Sequence, residues 1–253
     1  MRFFLDSARP EEIRAAALLP YVSGVTTNPG ILETAGGVCP ADVIDAARST
    51  GRRDWKLYFQ VAEGTARSVI EEATTLDRLL SERTGSALHG PTFVCKVLPT
   101  PDGLFAASTL VARGIEVCVT AVANPVQALA VAGFPHVLEW QDSTLETDGP
   151  PASRNPGFPH SIACYVGRLD DVGRDGVDTV ARIASLYAGY GIRTRILAAS
   201  IRSADVLARL VESLGKGSAG VDVTLSFPLL AALLDDPVTK RARQQFLGMG
   251  DPS

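Results

Sequence analysis

The sequence predicts a (β/α)8 barrel, an α/β fold in which one parallel sheet closes on itself inside a ring of helices, on three observations. Short apolar runs rich in β-branched and aromatic residues alternate with segments of helical period to the end of the chain, the pattern of parallel strands joined by crossover helices. Eight such units fit 253 residues at roughly 30 residues per βα unit. No GxGxxG or GxxxxGK[ST] loop follows any strand, which removes the nucleotide-binding forms of the runner-up, an open doubly wound sheet.

The elements follow in order. Strand one is expected at 2–5, and Pro10 opens a helix through EEIRAAALL, since proline suits a first helical turn. Strand two (22–26) ends in the turn-prone TTNP and precedes a helix at 41–48. Strand three (56–61) and a helix at 65–83 lead to strand four (92–97), whose helix spans 101–113. Strand five (116–119) passes through the Asn124-Pro125 step, which breaks an uncharged stretch into strand and helix, to a helix at 125–132. Phe-Pro-His then occurs twice, at 134–136 and 158–160, each time before a short apolar run. Strand six is placed on the second, at 161–166, because the intervening polar, Pro- and Gly-rich residues, about 140–159, read as an inserted loop. A helix at 175–190, strand seven (195–199), a helix at 204–214 and strand eight (221–225) follow. Helices at 228–234 and 237–247 end a single domain, 1–253.

Composition narrows the function. With 46% hydrophobic and 21% charged residues the chain has enough apolar side chains for a core and too little charge for disorder. A net charge of -4 gives no electrostatic footprint for nucleic acid or an anionic membrane. The N-terminal MRFFLDSARPEE is interrupted by acids too early for a secretory signal, and the four cysteines, without a CxxC pair, read as buried hydrophobes of a reduced, cytoplasmic protein. His89, His136 and His160 show no ligand spacing, so no metal is expected.

A barrel carries its chemistry at the carboxyl ends of its strands. The polar residues there are Asp6, Thr26, Asn28, Gln60, Lys96, Thr120, Tyr165, Arg168, Ser200 and Arg202. Lys96 is the strongest, because it stands inside TFVCKVLP in a chain whose other lysines are Lys56, Lys216 and Lys240. A buried ammonium loses hydration, and its neutral amine can attack a ketone to form a Schiff base; pairing with a carboxylate or snorkelling to water are the bland alternatives. Asp6 can face such an iminium or cap the next helix. Asn28 in TTNPG reads first as a turn residue, and the Tyr165 phenol is an acid or base, or a core aromatic with a satisfied hydroxyl. Gln60 and Thr120 can hold a water or satisfy backbone groups. Arg168, Ser200 and Arg202, after two adjacent late strands, suit phosphate, against readings as surface ion pairs and a helix cap. The pair Asp170 and Asp171 reads as a solvated loop.

With these residues in place the chain resembles the small transaldolase and fructose-6-phosphate aldolase family. The matching motifs are FLDSA from Phe4, GVTTNPGI from Gly24, KLYFQV from Lys56, FVCKVLPTPDGLFA from Phe93, VTAVANPVQALAVAGF from Val119, YVGRLDDVGRDG from Tyr165, ILAASIRS from Ile196 and DPVTKRARQQFL from Asp236. The resemblance implies a metal-free class I aldol enzyme without a cofactor, acting on sugar phosphates and forming homo-oligomers. It implies that Lys96 is the Schiff-base lysine and Asp6 the carboxylate near the cleaved bond. Asn28, beside Thr26, corresponds to the asparagine on the dihydroxyacetone hydroxyls, Thr120 to the residue holding a catalytic water, and Arg168, Ser200 and Arg202 to the phosphate site. Gln60 and Tyr165 are the pair of the aldolase branch, where transaldolases usually carry Glu and Phe, while YVGRLDD and AASIR look like the transaldolase branch. The insertion before strand six departs from the family pattern, close to Tyr165 and Arg168.

Overall fold

The computed structural model describes residues 1–85, 90–132, 159–215 and 220–247. Eight parallel strands close into a barrel in chain order: β1 (Phe3–Asp6), β2 (Val22–Thr26), β3 (Lys56–Gln60), β4 (Thr92–Val97), β5 (Glu116–Val119), β6 (Ser161–Tyr165), β7 (Arg195–Ala199) and β8 (Val221–Leu225), the last pairing with β1. The helices are α1 (Pro10–Ala16), α2 (Pro29–Thr34), α3 (Pro40–Ser49), α4 (Ala66–Thr84), α5 (Pro101–Ala112), α6 (Pro125–Ala132), α7 (Val166–Asp170), α8 (Gly176–Gly189), α9 (Ala204–Ser213), α10 (Phe227–Ala232) and α11 (Pro237–Phe246). The proposed insertion, about 140–159, and the first Phe-Pro-His fall outside the described residues, Pro159 excepted.

Local chemistry starts these helices. Proline stands in the first turn of α1, α2, α3, α5, α10 and α11, where its missing N–H costs nothing. Thr65, Thr100, Asp175 and Ser203 accept backbone N–H groups at the starts of α4, α5, α8 and α9. The strands are apolar on both faces because both are covered. Outward residues such as Leu57, Phe59 and Ile196 pack against Ile13, Ile44 and Ile183 of the helices. Inward, Phe4, Tyr58, Val94, Cys118, Ala163 and Leu197 fill the barrel, with the Phe4 and Tyr58 rings edge-on at 5.3 Å.

That inner cluster fixes where everything else lies, since side chains two residues apart share a face. Two residues on from it, toward the carboxyl ends, stand Asp6, Gln60, Lys96, Thr120 and Tyr165. Two residues back stand Arg2, Lys56, Glu116, Ser161 and Arg195, which close the opposite mouth with charge. Buried Asp222 accepts from Arg2 and Arg195 there, Arg195 Nε at 2.6 Å, and Lys56 pairs with Glu116. Gly24 of β2 lies against β3 with φ at 150°, and a Cβ would run into the Lys56 carbonyl.

The structure corrects four expectations. Strand six stops at Tyr165, and Val166 already belongs to α7, which follows without a linker. The Asn-Pro-Gly turn after strand two is instead the start of α2, capped by Asn28. Asp170 and Asp171 are solvated, as expected, but are not a loop: Asp170 ends α7 with its Oδ1 accepting from Gly176 N at 3.0 Å, and Asp171, its C-cap, pairs with Arg202. Cys39, read as buried, is exposed at the N-cap of α3, where its backbone N–H and its thiol both donate to Asp42; Cys95, Cys118 and Cys164 are buried as expected.

Candidate active site

The strand alternation brings the predicted residues to one end of the barrel. Lys96, on β4, is only 3% exposed, and its ammonium donates to the Thr27 carbonyl at 2.9 Å. The acceptor is a neutral backbone oxygen, and Tyr58, across the β3–β4 ladder, keeps the interior below it apolar.

Asp6 closes β1 half-buried beside Lys96. Thr26 Oγ1 donates to Asp6 Oδ1 at 2.6 Å and also lies 2.6 Å from Thr224 Oγ1. With the Thr26 proton committed to the carboxylate, the Thr224 hydroxyl is the donor to Thr26, so two buried hydroxyls point in series at Asp6. Burial pushes the Asp6 carboxyl above the usual carboxylate range, while the Thr26 hydrogen bond and the charges of Lys96 and Arg168 pull it the other way. Asp6 is not a helix cap, since α1 is preceded by Arg9.

On the opposite wall Thr120, fully buried, is 2.8 Å from the Tyr165 phenol. The Arg168 guanidinium lies 4.4 Å over the Tyr165 ring centroid, a distance at which the ring face attracts a cation. Asn28 Oδ1 accepts from Ile31 N at 3.1 Å, so the oxygen caps α2 and the amide nitrogen is its remaining polar group. Gln60 closes β3, half-buried, in register with Lys96.

Ser200 and Arg202 follow β7. Ser200 holds a left-handed backbone, φ 59°, uncommon outside glycine, and its carbonyl accepts from Gly167 N at 3.1 Å. It does not cap α9; Ser203 does. Arg202 pairs with Asp171 by two contacts of 2.6 Å. Thr27, Thr224, Gly167 and Asp171 are the participants that sequence reasoning missed. The Thr27 contribution is a carbonyl, which carries no residue-type signal; Thr224 had one, as a polar residue inside an apolar strand. Among the described residues no group of three or more His, Cys, Asp or Glu side chains is placed to hold a metal ion, and no helix is long and apolar enough to cross a membrane.

A closed parallel barrel with a buried lysine, a carboxylate and a rim of cationic and hydroxyl groups at its strand ends is the form of a (β/α)8 enzyme site. The model of the family described as Transaldolase/Fructose-6-phosphate aldolase matches residues 3–249. Relatives named "Probable transaldolase" from Moorella thermoacetica and Geotalea daltonii are each 32% identical over 250 and 248 residues, covering 98% of this chain and 96% of each relative. The chain belongs to the transaldolase/fructose-6-phosphate aldolase family, enzymes of the aldolase and transaldolase kind that act on small molecules. A solved structure entitled "putative isomerase from Sinorhizobium meliloti" is similar with a TM-score of 0.54 at 13% identity, covering 91% of this chain and 51% of that one, which speaks to the fold alone.

Proposed function

We propose that the protein moves a dihydroxyacetone unit from a ketose phosphate donor to an aldehyde acceptor, such as an aldose phosphate, through a Schiff base on Lys96. The observation that carries this reading is the Lys96 amine, buried in the strand wall yet bonded to a neutral carbonyl rather than clamped by a carboxylate. The neutral amine adds to the donor carbonyl carbon, and loss of water gives the iminium. Asp6, with a water among Gln60, Thr120 and Tyr165, accepts the proton of the hydroxyl next to the bond that breaks, and the electron pair of that bond flows into the iminium. The first aldehyde leaves, and the three-carbon enamine stays on Lys96. Attack of the enamine on the acceptor aldehyde makes the new carbon–carbon bond, and water releases the product and regenerates the amine. The carboxyl of Asp6, raised above the usual carboxylate range by burial, is suited to both accepting and returning a proton. Asn28 and Thr26 hold the hydroxyls of the three-carbon unit, and Arg168, Ser200 and Arg202 hold the phosphate.

The test is Lys96→Ala together with transfer from fructose 6-phosphate to an aldose phosphate: the variant loses turnover, and retained activity overturns the assignment. A second reading, release of free dihydroxyacetone, is favoured by one observation, the Tyr165 phenol against Thr120, which supplies a proton for detaching the three-carbon unit without an acceptor. An assay with no acceptor separates them, since free ketone forming as fast as transfer makes the protein an aldolase. On this reading the protein works in the cytoplasm as a homo-oligomer and needs no cofactor.

A further inference from the structure

Asp171 grips Arg202 end-on: Nη1 donates to Oδ1 and Nη2 to Oδ2, each at 2.6 Å. Both side chains are about half exposed, so the pair adds little to folding. Its geometry matters more. An end-on grip fixes the guanidinium plane and leaves the Nε edge free to donate elsewhere. That edge comes to Gly167. A Cβ on Gly167 would lie 2.8 Å from Arg202 Nε, 3.0 Å from Ser200 Oγ and 2.5 Å from the Ser200 carbonyl. The glycine therefore lets a guanidinium N–H and a hydroxyl come up side by side against its backbone, where any side chain would push them apart. Ser200 reaches it through its left-handed backbone, and Arg168, the next residue after Gly167, is stacked on Tyr165 at the same rim.

The geometry points to Asp171 as a positioning residue that turns Arg202 toward Ser200 and Gly167 and so sets the preference for phosphorylated over unphosphorylated sugars. This rests on the reading of Arg168, Ser200 and Arg202 as the phosphate site. Asp171 also brings a negative charge, which opposes a phosphate, and magnitudes decide between the two effects. Across about 7 Å of water at physiological salt, repulsion of a dianion changes affinity by roughly two- to threefold. Releasing a long arginine from a fixed plane costs up to roughly thirtyfold. Positioning wins.

The experiment compares wild type, Asp171→Asn, Asp171→Glu and Arg202→Ala. It measures the dissociation constant of inorganic phosphate by calorimetry, and kcat and KM for fructose 6-phosphate and for fructose. Asp171→Asn is expected to weaken phosphate about five- to tenfold and to lower the ratio of kcat/KM for the phosphorylated over the unphosphorylated ketose by the same factor. The change falls on KM rather than kcat, and Asp171→Glu recovers part of it. Phosphate binding that is unchanged or tighter in Asp171→Asn, while Arg202→Ala loses it, overturns the role of Asp171 and leaves the phosphate site standing. Wild type that binds no phosphate and does not distinguish the two ketoses overturns the phosphate site itself.

Discussion

Replacing Tyr165 with phenylalanine separates proton transfer from placement, because the substitution removes one oxygen and leaves the ring beneath Arg168 in place. The lost contact is the 2.8 Å bond to Thr120, a side chain with no solvent exposure to replace it. Leaving such a buried hydroxyl without its partner costs about 1–3 kcal/mol, so the melting temperature should fall by about 2–12 °C for a chain of this size. Misplacement on that scale slows a reaction by about ten- to a hundredfold, whereas removing a general acid or base costs about 10²–10⁴. The assay follows free dihydroxyacetone from fructose 6-phosphate without acceptor, and transfer to an aldose phosphate with it. The expected result is a loss above a hundredfold in release, and of only about ten- to a hundredfold, the placement effect alone, in transfer. Equal losses in both reactions, or none in release, refute the role of the phenol as the proton donor.

Two further substitutions test the charges at either end of the barrel. Burial alone would raise the Asp222 carboxyl, but hydrogen bonds from Arg195 and Arg2 outweigh it and hold the group below its usual range. A depressed native pKa stabilises the fold above the usual carboxylate range and is lost as pH falls through the native value. Asp222→Asn should therefore cost about 3–5 kcal/mol at pH 7 and progressively less in acid, read from urea melts at several pH values; a pH-independent difference contradicts the assignment. Asp6 has the opposite sign: its raised pKa favours the fold at low pH, and stability falls as pH rises from the usual carboxylate range through the native value. Asp6→Asn should abolish turnover while gaining about 0.5–2 kcal/mol at pH 7–8; a variant less stable than wild type at that pH shows that Asp6 is held by structure rather than by chemistry.

The strands were legible because a barrel strand is covered on both faces, so each reads as a short apolar run, and a lysine within one, as in TFVCKV, has one direction to go. Period-two alternation then carries Lys96, Gln60, Thr120 and Tyr165 to the same mouth as Asp6. What sequence reasoning missed lies where local signals have two meanings. Asn28-Pro29 is both a turn and a helix start, and the start prevailed because proline fits the first turn and the asparagine oxygen caps Ile31. Val166 prolongs an apolar run but is helical, since Gly167 lets α7 press against the Ser200 carbonyl. The Arg202–Asp171 pair joins residues far apart in sequence, and nothing in either stretch alone announces it.

Reduction with borohydride after mixing the protein with fructose 6-phosphate tests the covalent step most directly, with the modified peptide located by mass spectrometry. A mass increase of one reduced dihydroxyacetone unit on the peptide carrying Lys96, absent from Lys96→Ala, is the expected result. Reduction that leaves this peptide unmodified, or a label carried by another lysine, contradicts the account.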